Sequence, residues 1–152
     1  VAQQLGSPIF LASLDAVRRQ LIASFSPEKR ERVEALKSRI LVGVTSSTFV
    51  QASASLPPDP VVKALHQAFI DKEVLDICYQ REDLMVTERR IEPHYLLLKY
   101  PGWYVIAFDH LRGEPRTLRC DRIREARLTG ARFTLRPKSQ FEHIWTEGGL
   151  LA

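Results

Sequence analysis

Residues 101–123 read PGWYVIAFDHLRGEPRTLRCDRI, and they join the most apolar strand of the chain to a run of arginines. From Trp103 to Phe108 both alternating faces are apolar, which is typical of a central strand that is covered on each side. The alternation ends at Asp109 and His110, and Asp109 is expected to orient His110. Asp121 is expected to anchor one of two arginines, Arg119 or Arg122. A buried strand holds the polar groups that follow it, so a site built at this point needs little further ordering.

Positive charge is concentrated directly after this strand. The chain of 152 residues has a net charge of only +4, but the 112–136 segment holds eight arginines and three acids. The arginines are those at positions 112, 116, 119, 122, 124, 127, 132 and 136. Arginine rather than lysine favours forked recognition of phosphate or carboxylate. A solvated strand face with ordinary ion pairs explains this composition equally well.

Short strands surround the opening stretch on both sides. Period-two patterns predict them at 74–80, 85–93, 94–100, 103–109, 116–120 and 122–130, the last two separate or continuous, with 131–137 closing the sheet. Pro93 is expected to end the second strand, and Tyr100 to Trp103 to form a type II turn with Pro101 at its second position. One helix followed by five or six short strands predicts a small bent barrel rather than a sandwich.

Two helices are predicted near the start of the chain. The first spans 13–25, with Ser13 as its cap and an apolar stripe at Leu14, Val17, Leu21 and Phe25. The second begins at Ser26, with Pro27 in its first turn. A short corner between them predicts an antiparallel hairpin. Two helices alone bury little apolar surface, so we expect the hairpin to pack on a second copy of the chain or on a segment outside it.

A Ser-, Thr- and Ala-rich segment at 42–56 is predicted to be a linker with some extended structure. The sequence PPDP at 57–60 marks a boundary, and Asp59 is expected to cap a third helix. Val62, Leu65 and Phe69 are predicted to form the inward face of this helix. The pattern thus divides the chain into a helical segment at 1–56, a barrel domain at 57–137 and a tail at 138–152.

Composition excludes several classes of protein. No apolar run approaches the roughly 20 residues of a membrane span, and the first residues do not have the pattern of a secretory signal. Cys78 and Cys120 form no CxxC pair and the four histidines are scattered, so neither a metal site nor a cofactor is expected. We therefore expect a cytoplasmic protein with two reduced thiols and no membrane contact.

The ordered elements from Arg89 to Ile123 resemble the WYL domain of bacterial transcription regulators, and the match covers about 60–137. The elements are Arg89, Ile91 and Pro93; Gly102 to Val105, with Val105 in place of the naming leucine; Asp109, His110 and Arg112; and Leu118 to Ile123. Leu118 and Cys120 replace a usual Phe and Leu with other apolar residues, and His94 stands where the family often has an aromatic residue.

The resemblance implies an α+β fold with an Sm-like, SH3-type β-barrel and an arginine-rich cleft. The cleft would bind single-stranded nucleic acid or a nucleotide-like anion. Carried over position by position, its residues are Tyr79, Arg89, His110, Arg119 and Arg122, with Arg112 and Arg116 at the rim. Arginines fork onto phosphates, a tyrosine offers a stacking face, and a histidine is a donor whose charge depends on pH.

Three functions are compatible with this pattern. The first is the ligand-sensing domain of a transcription regulator, and the second is a stand-alone nucleic-acid-binding protein that modulates a partner enzyme. The third, and least favoured, is a phosphate-handling enzyme that uses His110 as a base. The sequence has no Ser-His-Asp order, no G-x-S-x-G and no phosphate-cradling Gly-rich loop, so we expect a non-enzyme without catalytic residues.

Regulators of this family also carry a helix-turn-helix domain that binds DNA. The helices at 13–41 resemble the segment that joins such a domain to the WYL domain. The first twelve residues are too few to hold a helix-turn-helix, so we expect DNA contact through a domain missing from this chain. The unpartnered helices favour a homodimer. The sequence names neither the ligand nor the target genes, and it does not separate an activator from a repressor.

Overall fold

The computed structural model describes residues 8–147, and the chain divides into two units between Ser38 and Arg39. The first unit contains two helices, α1 (Pro8–Ala23) and α2 (Pro27–Lys37). Both predicted helices are therefore present. Among the described residues, no helix of either unit is long and apolar enough to cross a membrane.

The two helices of the first unit begin differently from one another. At α2 the Ser26 side chain accepts a hydrogen bond from the Lys29 N–H at 3.2 Å, and Pro27 lies in the first turn, as predicted. At α1 the helix begins at Pro8. Ser13 therefore lies inside the helix, and its prediction as the cap is wrong.

The apolar stripe predicted on α1 remains open to solvent where the structure describes it. The Val17 and Leu21 residues are 54% and 57% exposed. The side chain of Leu14 lies outside the described residues. Antiparallel pairing of the two helices, and the second copy that would cover this stripe, stay predictions.

The second unit is a six-stranded sheet with helices packed against it. All of its strand pairs are antiparallel except one. In chain order its described elements are β1 (Ile40–Val42), α3 (Thr48–Ser53), α4 (Asp59–Asp71), β2 (Glu73–Gln80), β3 (Val86–Lys99), β4 (Gly102–Asp109), β5 (Glu114–Arg119), a 3₁₀ turn (Cys120–Arg122), β6 (Ile123–Arg132), a second 3₁₀ turn (Lys138–Phe141) and α5 (Glu142–Glu147). The strand order is β5-β4-β3-β2-β6, and β1 pairs with β3 in parallel. The predicted α+β class is confirmed.

Closure of the sheet into a barrel is not confirmed. Strands β5 and β6 lie at opposite ends of the strand order and form no ladder with each other in the described residues. The 3₁₀ turn Cys120–Arg122 separates them, so the fifth and sixth strands are not continuous. Strand β6 ends at Arg132, and 133–137 form no strand, so the predicted closing strand is wrong.

Strand β3 runs through Pro93, where the sequence predicts a strand end. Its ladder with β2 stops at Ile91, and its ladder with β1 starts at Leu96. Pro93 therefore lies in a gap between two neighbouring strands, where its missing N–H breaks no ladder bond on that side. The buried Arg39 side chain fills the gap, because its guanidinium donates to the carbonyl oxygens of His94 and Pro93 at 2.8 and 2.9 Å.

The turn between β3 and β4 also differs from its prediction. Lys99 pairs directly with Gly102, so the turn has only two central residues, Tyr100 and Pro101. Pro101 is thus the third residue of the turn, and the peptide bond before it is cis. The type II assignment is wrong, because the third residue of that turn needs a positive φ, which proline cannot adopt.

Helix α4 packs its apolar face on the sheet. Val61, Leu65, Ala68 and Phe69 are all less than 4% exposed, whereas Val62 is half-buried, so the predicted stripe is rotated by about one residue. The helix begins after Pro58 without a side-chain cap bond, and the predicted cap at Asp59 is wrong.

The residues after β6 cover one face of the sheet. Phe141 is fully buried in a cluster with Tyr95, Leu97, Ile106 and Ile144. Aromatic side chains of this size contribute most of the apolar area that a small core can bury. Phe141 and Ile144 therefore pack on the sheet of the second unit. The domain bounds predicted from the sequence stay predictions.

His94, at the edge of this cluster, is a neutral core histidine. Its ring lies 5.0 Å from both Phe133 and Phe141, centroid to centroid. Its Nδ1 is 2.8 Å from the Glu92 carbonyl oxygen, and its Nε2 accepts a hydrogen bond from the Arg136 N–H at 3.0 Å. Burial lowers the pKa of His94 below its ordinary value. Only the neutral imidazole satisfies both bonds, because a protonated Nε2 would face another N–H donor.

We expect Arg39→Met to lower the free energy of unfolding by about 2–4 kcal/mol, since it leaves two buried carbonyl oxygens without a donor. Chemical denaturation followed by circular dichroism measures this change. The control is Lys63→Met on the exposed side of α4, which should stay within about 0.5 kcal/mol of wild type. Equal effects of the two substitutions would contradict the role assigned to Arg39.

The second stability prediction concerns pH. The folded pKa of His94 lies below its unfolded value of about 6.5, so its contribution is present above that pH and is lost as pH falls. Between pH 7 and 5 we expect wild type to lose about 1 kcal/mol more stability than His94→Gln. The exposed His66, changed to Gln, is the control and should keep the wild-type slope. Parallel slopes for wild type and His94→Gln would contradict this assignment.

Candidate functional site

A buried ion pair stands at the end of the apolar strand β4. The Arg89 Nη1 is 2.6 Å from the Asp109 Oδ2, and the two side chains are 3% and 0% exposed. The Asp109 carboxylate also accepts the Leu111 N–H at 2.9 Å. Asp109 therefore orients Arg89 and the following turn, and its predicted role in orienting His110 is wrong. Because Arg89 is neutralised and buried, it is not available to a ligand at the surface.

His110 is oriented instead by Glu92. The His110 Nε2 lies 2.8 Å from the Glu92 Oε2, and Glu92 is itself 4% exposed. Arg136 donates to the same carboxylate at 2.9 and 3.2 Å, while its guanidinium lies 3.6 Å from the Phe108 ring centroid. Burial raises the pKa of Glu92, but hydrogen bonds from Arg136 and His110 outweigh this effect, so the pKa is lowered. The sequence analysis did not single out Glu92, whose only signal is a carboxylate in an apolar strand.

Arg119 is held by two carboxylate bonds and by a serine from α3. Its Nε and Nη2 donate to the two Asp121 oxygens at 3.0 and 2.7 Å, so the prediction that Asp121 anchors an arginine is confirmed. Its Nη1 and Nη2 also donate to the Ser53 Oγ and carbonyl oxygen at 3.2 and 3.3 Å. The hydrogen bonds from Arg119 to Asp121 raise the pKa of the guanidinium, which stays fully charged.

Tyr79 links the buried Arg89 to the half-buried Arg119. Its hydroxyl accepts the Arg119 backbone N–H at 3.1 Å, and its ring centroid lies 5.3 Å from the Arg89 guanidinium carbon. Tyr79 is 7% exposed. This position suits a residue that positions Arg119 and does not favour stacking of a base on the ring.

The three remaining predicted arginines are less tightly held. The nearest carboxylate oxygen to Arg122 belongs to Glu82 at 3.7 Å, and the two side chains are 20% and 80% exposed. Arg116 pairs with the exposed Glu114 at 3.2 Å, a pair of the kind that contributes little stability. Within the described residues, no side-chain hydrogen bond or ion pair joins Arg112, Arg116 or Arg122 to Tyr79, Arg89 or Arg119.

A groove of about 580 Å³ opens on the outer face of β2, β3 and β6. It is lined by Asp76, Ile77, Cys78, Glu88, Arg89, Arg90, His110, Leu111, Glu125, Ala126 and Arg127. Of the predicted site residues only Arg89 and His110 are among them. The lining residues include three arginines and three carboxylates. The two oxygens of Asp76 accept hydrogen bonds from Arg90 at 2.8 and 3.0 Å. The groove is therefore of mixed charge and differs from the predicted cationic cleft.

No group of three or more His, Cys, Asp and Glu side chains suited to hold a metal ion is found in the part of the chain that the structure describes. Cys120 is buried, and desolvation raises the pKa of its thiol to about 12, so it carries no thiolate at neutral pH. Neither thiol is bonded to the other.

A family model matches the region that contains the motifs of β3, β4, β5 and the 3₁₀ turn. Residues 60–128 match the WYL domain. The chain contains a WYL domain. The match includes the Arg89–Asp109 pair, Tyr79, Arg119 at the end of β5 and Arg122 in the 3₁₀ turn. It excludes Ser53 and Arg136. The family resemblance stated from the sequence is thereby confirmed.

One similar solved structure is proteasome accessory factor B/C (PafBC) of Arthrobacter aurescens. The two chains are 25% identical, with a TM-score of 0.46. The aligned region covers 60% of this chain and 14% of PafBC. The WYL-containing chain thus spans only a small part of the length of that relative.

The buried position of Arg89 leads to a prediction about stability. Arg89→Met should cost about 3–5 kcal/mol, because it leaves the Asp109 carboxylate buried and unpaired. Arg89→Met combined with Asp109→Asn should cost clearly less than Arg89→Met alone, since the amide keeps an acceptor for the Leu111 N–H without the charge. Denaturant titration measures both, with the exposed Arg116→Met as the control. A cost below about 1 kcal/mol for Arg89→Met would contradict this assignment.

Proposed function

We propose that this chain is the ligand-sensing regulatory part of a bacterial transcription regulator. We infer that it binds single-stranded nucleic acid or a nucleotide-like anion at the 3₁₀ turn that joins β5 to β6. The proposal rests on the WYL domain match over 60–128 and on the arginines at that turn. The single observation that carries it is Arg122, a partly buried cation whose ion-pair partner among the described residues is the highly exposed Glu82, at 3.7 Å.

The surroundings of Arg122 favour an anionic ligand. A guanidinium that is 20% exposed is partly desolvated, and its nearest carboxylate oxygen is 3.7 Å away on the highly exposed Glu82. Such a distance gives no good hydrogen bond, so the donors of Arg122 are available to an incoming group. Phosphate oxygens match the forked geometry of a guanidinium and form short charge-assisted bonds with it.

Arg119 supplies a second contact directly across from Tyr104 on β4. Its register partner on β4 is Tyr104, and the WYL tyrosine therefore lies beside the guanidinium. Asp121 uses only one edge of Arg119, and neutral oxygens of Ser53 accept from the other. We propose that Arg119 and Arg122 bind phosphate, and that Arg112 and Arg116 add charge at the rim.

The remaining predicted residues take supporting roles in this proposal. Tyr79 and Arg89 position Arg119 from the core, and His110 borders the separate groove. The Sm-like barrel is retained as part of the proposal. It is supported by five successive antiparallel strands, by the 3₁₀ turn before the last, and by the Tyr79–Arg119 bond between β2 and the end of β5.

Other parts of the sequence interpretation also remain proposals. DNA contact through a helix-turn-helix outside this chain, a homodimer and a cytoplasmic location accompany the regulator function. A stand-alone accessory protein that acts on an enzyme is the alternative, and it would use the same arginines. Enzymatic use of His110 is the least favoured, because Glu92, which Arg136 holds in place, ties the histidine to the core.

We expect Arg122→Ala and Arg119→Ala to weaken binding of a fluorescent single-stranded oligothymidine by about tenfold or more, since each removes a charge-assisted phosphate contact. Fluorescence anisotropy at fixed ionic strength measures the affinity. The control is Arg132→Ala at the far end of β6, where the arginine donates to the Asp71 carbonyl. This variant should stay within about twofold of wild type.

A salt series sharpens the same experiment. Each variant that loses a phosphate contact should also show a shallower dependence of affinity on salt, by about 0.7 in the logarithmic slope. Equal losses of affinity for all three variants would mean attraction by net charge alone and would overturn the site. Product formation from the oligonucleotide, lost in His110→Ala, would instead favour an enzyme.

A further inference from the structure

The segment Ser46–Leu56, here called the strap, crosses the sheet beside the proposed site. The sequence predicts a linker at this point, but the strap contains the short helix α3. At its first end the Ser46 hydroxyl donates to the Lys99 carbonyl oxygen at 2.6 Å, and the Ser46 N–H donates to the Tyr100 carbonyl oxygen at 3.0 Å. Ser46 is 6% exposed, so this end is anchored on the β3–β4 turn.

The other end of the strap is bonded to Arg119 and Asp121. The two Ser53 oxygens accept from Arg119 Nη1 and Nη2, at 3.2 and 3.3 Å. The Ser55 N–H donates to the Asp121 Oδ2 at 3.2 Å. With the strap in place the Arg119 side chain is only 11% exposed. The hydroxyl and carbonyl of Ser53 thus take the donors of Arg119 that Asp121 leaves.

Little apolar packing holds the middle of the strap. Helix α3 has six residues and none of them is buried. Phe49 and Leu56 are 67% and 93% exposed. Segments with few buried apolar contacts and exposed hydrogen bonds open locally at low free energy, independently of the core strands. The second end of the strap is therefore held by hydrogen bonds in which another acceptor can take the place of the Ser53 oxygens.

We propose that the strap is a cover over Arg119 that an anionic ligand displaces. This inference rests on the proposed function, because it concerns the same arginine. Phosphate oxygens would replace the two Ser53 oxygens, so the number of hydrogen bonds is kept while neutral acceptors give way to charged ones. A bond from a guanidinium to a phosphate joins two opposite charges, whereas each bond to Ser53 has only one charged partner, and this difference favours the exchange. The closed strap lowers the apparent affinity by the fraction of molecules that are open.

A proline releases the strap without altering either ion-pair partner. Ser55→Pro removes the N–H that donates to Asp121, and Ser55→Ala keeps it as the matched control. Ala54 has φ −68° and ψ 136°, the extended conformation that a residue before proline prefers. We expect Ser55→Pro to bind oligothymidine about threefold to tenfold more tightly than Ser55→Ala.

A disulfide locks the strap closed. A Cβ on Gly102 would lie 3.9 Å from the Val50 Cγ1, so Val50→Cys with Gly102→Cys can form a bond across the contact. The disulfide variant also carries Cys78→Ala, which removes the partly exposed native thiol, and it keeps the buried Cys120. The oxidised form should bind oligothymidine about tenfold more weakly than the same protein after reduction.

Hydrogen exchange of the wild-type chain gives a readout that needs no substitution. A bound oligonucleotide usually protects amides, but here it should speed exchange at Gln51 and Ser55 while the amides of β4 stay protected. Slower exchange throughout the strap on addition of oligothymidine would overturn the cover. Equal affinity of the oxidised and reduced forms of the disulfide variant would also overturn the cover. If that affinity were still lost in Arg122→Ala, the proposed function would stand. Absence of binding by every form, including Ser55→Pro, would overturn both.

Discussion

The buried pair of Arg89 and Asp109 is the constraint on which the rest of the site depends. Two charges without solvent must stay together, because separating them leaves an uncompensated ion in the core. Asp109 also fixes the turn after β4, and Arg89 lies against the Tyr79 ring, whose hydroxyl holds the backbone of Arg119. A continuous set of contacts therefore runs from the core to the arginine that we assign to ligand binding.

Strand β3 carries a second constraint of the same kind. Its ladders with β2 and β1 leave a gap at Pro93, and Arg39 supplies donors to the carbonyls that no strand reaches. His94 beside the gap is neutral and packs under the tail after β6. Three polar side chains, at 39, 89 and 94, are thus part of the architecture, and only groups nearer the surface remain to bind a ligand.

The charge pattern of the sequence predicted only part of the candidate site. It indicated that Asp121 anchors a neighbouring arginine, Arg119 or Arg122, and the structure shows that this arginine is Arg119. It did not separate Arg89, which is 3% exposed, from Arg122, which is 20% exposed, because both are simply arginines beside apolar strands. Glu92 was missed because the sequence does not show which side chains a lone carboxylate in an apolar strand contacts. Ser53 was missed because it lies in a segment that resembles a linker.

The sequence by itself determined the three longer helices, most of the strands, the α+β class and the WYL family. These depend on the spacing of apolar residues over a few positions and on the order of short motifs, both of which are local. Only the tertiary structure decided which arginines are neutralised, how β3 passes Pro93, and what covers Arg119. These depend on partners 20, 54 and 66 residues apart, whose meeting is set by strand register and burial and leaves no mark in the local pattern.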